Sequence, residues 1–232
     1  MGTSLTADQR AEVAKYRAAG WGARAIANKI GSTRGVVRWH IDHTKAEGAA
    51  PEVTFRTLVY DIECTNLRTD LGLLLCVAFY DMADGSIEAK TIDDFGPSRK
   101  VGEKELVKWA AEKVASADCL IGFNSDAFDK HYLDGVSARH GLPRLPKRIH
   151  IDLYQSARYG WGGLPSSYSL RNLTEFFHLE RKKTSLDKTD WREALADPAA
   201  MVALRIHCEE DVDRTALLWQ AMKGYYFDWR GK

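Results

Sequence analysis

Residues 55–66, Phe-Arg-Thr-Leu-Val-Tyr-Asp-Ile-Glu-Cys-Thr-Asn, constrain this chain more than any other stretch. Leu58, Val59, Tyr60 and Ile62 make a short apolar, β-rich run bounded by polar residues, which reads as a buried strand. Asp61 and Glu63 sit inside it with one apolar residue between them. Strand side chains alternate faces, so both carboxylates project from the same side. Two acids held side by side near a core repel each other, and burial worsens the repulsion. A hard divalent cation taking oxygen ligands from both relieves it. The competing reading is a strand end that opens into solvent with two hydrated acids.

The rest of the chain must supply a sheet for that strand. Leu73 to Tyr80 reads as a second strand, and Asp84-Gly85 as a hairpin turn into residues 86–92. Helical spacing of Leu106, Val107, Ala110 and Val114 predicts a helix over residues 101–115. Cys119 to Gly122 reads as another buried strand, followed by a helix from about Asp126 to His140. Residues 149–153 suit a last short strand and residues 169–177 a helix. Pro198 suits the first turn of a long helix through Met222. Antiparallel strands first, then strands alternating with helices, predict a mixed α/β sheet flanked by helices. The Gly162-Gly163 stretch after Trp161 reads as a loop.

Ahead of this lies a small all-α unit, residues 1–46. Thr6 with Gln9 makes a loose capping box for a helix to about Ala19, burying Val13, Tyr16 and Ala19, and Gly20 ends it. A second helix is expected over Ala23–Ile30 with Ala25, Ile26 and Ile30 inward. Gly31 breaks it, and Ser32 caps a third helix carrying Val36, Val37 and Ile41. Residues 1–50 hold eight Lys/Arg against four acids, whereas the remainder holds 25 bases and 28 acids. A basic head on a mildly acidic body points to a polyanionic partner. Residues 18–45 resemble resolvase- and homeodomain-like helix-turn-helix domains, in which the third helix reads the major groove of DNA. Arg34, Arg38, Trp39 and His43 are its candidate nucleic-acid contacts. A three-helix protein-docking module is the alternative. Residues 47–54, small and with Gly and Pro, read as a linker to a domain over 55–232.

No apolar run reaches the length of a membrane span, and no membrane partner is expected. Four widely spaced cysteines, with no CxxC pair, predict reduced thiols in a cytoplasmic protein.

The remaining acids follow in order. Gly122-Phe123-Asn124-Ser125-Asp126-Ala127-Phe128-Asp129 begins at a strand end, where ligands of α/β sheets bind. His207 and Asp211, four apart, share one face of the last helix. Asp-Ile-Glu, Gly-Phe-Asn-Ser-x-x-Phe-Asp and His-Cys-x-x-Asp-Val, in this order, resemble the three exonuclease motifs of the DEDD superfamily. The middle one is similar to the proofreading exonuclease domain of family B DNA polymerases.

The resemblance implies a ribonuclease H-like fold over residues 55–222 and a 3′–5′ exonuclease acting on DNA, with single-stranded ends as substrate. It implies that Asp61, Glu63, Asp129 and Asp211 together hold two Mg²⁺ or Mn²⁺ ions for phosphodiester hydrolysis. Asp126 is the rival acid in the middle motif, but the family pattern places the acid directly after Phe128. Thr65, Asn66, Phe123, Asn124 and Phe128 become the substrate contacts, and Asp152 and residues 169–173 resemble later supporting positions. One departure stands out. The superfamily carries Tyr four residues before the third acid, or His five before; this chain has His at the Tyr spacing. His207 is then a candidate to orient or deprotonate the attacking water. A ribonuclease or structure-specific endonuclease on the same fold, and an inactive nucleic-acid-binding protein, remain the alternative readings.

Overall fold

The computed structural model describes residues 5–18, 22–43, 55–161, 165–179 and 191–225; for residues 18, 42 and 43 it describes the backbone alone. The chain divides into two compact units, Met1–Thr54 and Phe55–Lys232. The expected linker at 47–54, the helix end at 19–20 and residues 162–164 of the glycine loop lie outside the described residues.

Among its described residues the first unit is three helices, α1 (Ala7–Ala18), α2 (Ala23–Ile30) and α3 (Arg34–His43). The capping box forms as the sequence predicts: Thr6 N–H donates to Gln9 Oε1 at 3.1 Å and Gln9 N–H to Thr6 Oγ1 at 3.2 Å. Gly31 closes α2 in the left-handed region, with φ of 65°. Ser32 N–H still reaches back to Ala27 O at 2.9 Å, so Ser32 belongs to the end of α2. The cap of α3 is instead Thr33, whose Oγ1 accepts from Val36 N–H at 3.3 Å. Val13, Ile26, Ala27, Ile30 and Val37 are buried together with Leu5. Ala25 is exposed and Ala27 takes the inward place. Ile26 and Ile30 set the centre of the stripe, and Ala27 lies nearer to it around the helix than Ala25 does. Arg34, Arg38 and Trp39 are exposed, Trp39 by 61%. The side chain of His43 lies outside the described residues.

The second unit is a five-stranded sheet of order β3-β2-β1-β4-β5. Its strands are β1 (Thr57–Cys64), β2 (Leu74–Asp81), β3 (Ile87–Thr91), β4 (Cys119–Gly122) and β5 (Ile149–Asp152). β1 to β3 pair antiparallel, whereas β4 and β5 run parallel to β1. The strand with the paired acids is therefore central. Helix α4 (Arg99–Ser116) joins β3 to β4, and α5 (Asp129–Arg139) joins β4 to β5. After β5 come α6 (Leu153–Gly160), α7 (Leu170–Phe176) and α8 (Pro198–Met222), which packs on β1, β2 and β3. This is the mixed, helix-flanked sheet that the strand pattern predicts.

Two elements differ from expectation, and one carboxylate accounts for both. Asp152 reads as a strand-end acid, but it caps α6, a helix the sequence reading lacks, by accepting from Gln155 N–H at 3.1 Å. The same carboxylate accepts Asn124 N–H at 3.1 Å and Asp126 N–H at 2.9 Å. It thereby holds residues 124–128 in a turn, so α5 begins at Asp129 and not at Asp126. Trp161 packs against Phe176 and Phe177, with ring centroids 6.2 and 5.6 Å away.

Candidate active site

In β1 the apolar residues Leu58, Val59, Tyr60 and Ile62 are buried, and this fixes the strand at the centre of the core. Pleating then sends Asp61 and Glu63 to the face on which α8 lies, where Cys208 of α8 donates its thiol to Asp61 Oδ2 at 3.5 Å. A register irregularity after Glu63 ends the regular pairing with β2 just beyond the two acids. Asp129 comes from the first turn of α5 and is 5% exposed. Its carboxylate accepts from its own N–H and from that of Ile62. Asp211 comes from the middle of α8.

The four acids feel one another. Burial, then the charges of Asp129, Glu63 and Asp211, push the Asp61 carboxyl well above its ordinary range. Burial and Asp211 push Glu63 up to about 8, against the pull of a hydrogen bond from Trp191. Burial raises Asp129 to about 7, although the two backbone donors hold it down. Carboxylic acids from three separate elements thus share one poorly solvated volume. Among the described residues no three His, Cys, Asp or Glu side chains stand close enough to enclose an ion as they are. The donor chemistry nonetheless fits a hard divalent cation, since the set is oxygen-rich and Asp61, Glu63 and Asp129 are destabilised as bare anions.

His207 stands between two of the acids. Its Nε2 lies 3.6 Å from both Glu63 Oε1 and Asp211 Oδ2, and its buried Nδ1 has no hydrogen-bond partner among the described residues. Sequence reasoning missed two neighbours. Trp191 donates to Glu63 and covers the imidazole, with ring centroids 5.5 Å apart. Arg214 donates to Asp211 Oδ1 at 2.9 Å and to Glu210 Oε2 at 3.1 Å. The i, i+3 spacing from Asp211 was a signal for Arg214; nothing local marks Trp191.

The expected substrate contacts separate into two kinds. Thr65 closes the β1–β2 loop, its Oγ1 accepting from Leu73 N–H at 2.9 Å, and Asn66 Oδ1 accepts from Arg68 N–H at 3.0 Å. Both hold the rim in shape. Asn124 has φ of 60° and is fastened by Asp152, while Phe123 packs edge-on against Tyr154. Gly122 permits that turn, because a Cβ there would come within 2.1 Å of Ser125 Oγ. Phe128 lines an open hollow of about 380 Å³ with Leu67, Arg68, Thr69 and His131.

The comparisons with known proteins bear on this fold. No curated protein sequence matches the chain. Among solved structures it is similar to the family B DNA polymerase from the hyperthermophilic archaeon Pyrobaculum calidifontis, at 22% identity and a TM-score of 0.58. That match covers 76% of this chain and 25% of the polymerase. It is also similar to exonuclease I in an SSB/exonuclease I structure, at 13% identity and a TM-score of 0.51, covering 73% of this chain and 41% of that one. The chain thus spans less than half of either protein, and the likeness is one of fold. The family model of the RNase_H superfamily matches residues 58–223, which hold the central strand, the turn before α5 and all of α8. With that match over the whole sheet and its flanking helices, the chain belongs to the RNase_H superfamily.

Proposed function

We propose that the second unit is a metal-dependent 3′–5′ exonuclease that hydrolyses DNA from single-stranded ends. The observation that carries the reading is the convergence of Asp61, Glu63, Asp129 and Asp211 from β1, α5 and α8, with burial raising the first three and the charges of the other acids adding to the rise of Asp61 and Glu63. Those four residues would hold two Mg²⁺ or Mn²⁺ ions, which supply a nucleophilic hydroxide and neutralise charge on the in-line transition state. The protein's own groups do the rest. Asp61 and Asp129 are fixed by the Cys208 thiol and by backbone N–H groups, so their oxygens are aimed before substrate arrives. His207, facing Glu63 and Asp211 through Nε2, orients the attacking water there. Phe128 and the hollow beside it receive the terminal nucleotide, and Phe123 and Asn124 contact it from the turn that precedes α5.

Residues 1–46 act in this reading as a helix-turn-helix that holds the nucleic acid through α3, with Arg34, Arg38 and Trp39 exposed and His43 at its end. Residues 47–54 link the two parts. The four cysteines are free thiols, which suits the cytoplasm.

The test is digestion of single-stranded DNA labelled at one end. With Mg²⁺, a 5′ label should yield a descending ladder and a 3′ label should be released at once as mononucleotide. Digestion at the wild-type rate in excess chelator, or by Asp61→Asn protein, would overturn the reading.

A further inference from the structure

The hollow beside Phe128 takes its walls from two parts of the chain. Leu67, Arg68 and Thr69 belong to the loop of residues 65–73 between β1 and β2, whereas Phe128, His131 and Tyr132 belong to α5 and the turn before it. The hollow is open to solvent, and Leu67 at its rim is 77% exposed. Its width therefore depends on what ties that loop to α5.

The two ends of the loop are tied to each other. Thr65 N–H donates to Leu73 O at 3.0 Å, and Leu73 N–H donates to Thr65 Oγ1 at 2.9 Å. Between those ends the loop meets α5 at two places. Arg139, in the last turn of α5, donates through Nη1 to the carbonyls of Thr69 and Gly72, the second at 2.8 Å. One turn earlier, Gly135 lets the helix approach Thr69 closely. A Cβ there would stand 2.9 Å from Thr69 Cγ2 and 3.2 Å from Thr69 Cβ. Residues 132, 135 and 139 are three and four apart, so one face of α5 lines the hollow and carries both attachments.

Arg139 is itself held from behind. Its Nη2 donates to Glu103 Oε1. Glu103, on α4, is 2% exposed, and the same oxygen accepts Leu74 N–H at 2.8 Å at the start of β2. His140 Nε2 lies 2.7 Å from the second oxygen. A buried carboxylate with partners on both oxygens is a fixed anchor, because removing it from water is costly unless it is paired. The planar guanidinium spans that carboxylate and both carbonyls at once, which a point charge on a flexible stem does not do. Pairing with Glu103 alone would need no reach to the loop; the two carbonyl bonds direct Arg139 to the wall of the hollow.

We propose that Arg139 is a positioning residue for the candidate nuclease site: braced by Glu103, it holds the 65–73 loop on α5 and so sets the width of the hollow that receives the terminal nucleotide. That role rests on the nuclease reading of the site. Because the Thr65–Leu73 bonds close the base of the loop, Asp61 and Glu63 keep their places when the loop moves. The brace thus acts on substrate binding and not on the chemical step.

The test is steady-state digestion of 5′-labelled single-stranded DNA with Mg²⁺ by the full-length protein, read beside melting temperature and hydrogen exchange of residues 65–73. Arg139→Ala should quicken exchange in the loop and raise KM about tenfold, with kcat within about threefold of wild type. Arg139→Lys keeps a charge facing Glu103 but not the planar fork, so it should restore the melting temperature and leave KM raised. Arg139→Ala leaves Glu103 short of a partner in the interior. Combining it with Glu103→Gln removes the buried charge, and that double variant should show the same KM even if the single one fails to fold. Gly135→Ala is the independent probe. It improves helix propensity while its methyl displaces Thr69, so KM should rise with no loss of melting temperature. A KM equal to wild type in either the double variant or Gly135→Ala would overturn the proposal. So would unchanged exchange in the loop of the double variant, or a KM that simply follows melting temperature across the variants. Wild type that digests no DNA would instead remove the nuclease reading, and this role with it.

Discussion

The indole of Trp191 lies 5.5 Å from the His207 imidazole, tilted by 49°, and donates its N–H to Glu63. One side chain thus braces both a candidate metal ligand and the histidine beside it. Trp191→Phe keeps an aromatic face for His207 and removes only the donor. A hydrogen bond to a charged group contributes about 1.5–3 kcal/mol. Turnover at subsaturating Mg²⁺ should therefore fall roughly tenfold or more and recover as Mg²⁺ is raised. Titration of activity against metal concentration checks this. A Mg²⁺ dependence identical to wild type would assign Trp191 to packing alone.

His207 makes a sharper prediction because its residue type departs from the spacing it occupies. If it orients or deprotonates water, His207→Ala should lower turnover by roughly 10²–10⁴-fold. His207→Tyr should retain far more, since a phenol can orient water although its high pKa makes it a poor base near neutral pH. Equal turnover of all three proteins from pH 6 to 9 would make the imidazole a bystander.

Sequence patterning makes the candidate acids legible but not the residues that support them. The pleat of β1 and the i, i+4 face of α8 are periodic signals, so Asp61, Glu63, His207 and Asp211 were legible. The Asp152 carboxylate was not. It lies 23 residues after Asp129 and fixes the turn before it through contacts no local pattern encodes. The same holds for Trp191, which precedes α8 and meets Glu63 only in three dimensions. Helix ends shifted where a tertiary bond competed with propensity: α5 starts late because Asp152 takes the Asn124 and Asp126 N–H groups. Thr33 displaced Ser32 as a cap because the closing turn of α2 claimed Ser32.

The acids also predict how stability depends on pH without metal. The folded-state values of Glu63 and Asp129 are raised, to about 8 and about 7, from ordinary values of 4.5 and 3.8. Groups raised in the folded state contribute stability that is full below the unfolded value and lost as pH rises through the folded one. In chelator the protein should therefore melt lower at pH 8.5 than at pH 5. Asp61→Asn removes the buried acid on which the charges of Asp129, Glu63 and Asp211 bear, so it should raise the melting temperature at pH 8.5 by several degrees, at about 2–4 °C per kcal/mol for a chain of this size. Mg²⁺ should raise wild type at that pH by mass action and the variant much less. A variant that melts below wild type in chelator at pH 8.5 would contradict the shared-repulsion account.

The first unit should contribute affinity and not chemistry. Its α3 exposes Arg34 and Arg38, and residues 1–50 carry the basic excess. If both arginines meet phosphates, Arg34→Ala and Arg38→Ala should each weaken DNA binding across sequences. Each should also reduce the slope of log affinity against log salt by about 1, because fewer counterions are released. Trp39→Ala should lower affinity with little change in slope, since an aromatic contact releases no counterion. Turnover of a short oligonucleotide at saturation should be unchanged in all three, as none of them lies in the second unit. Filter binding over 50–300 mM salt separates these effects from one another. Turnover that collapsed in any of the three at saturating substrate would move the first unit into the active site.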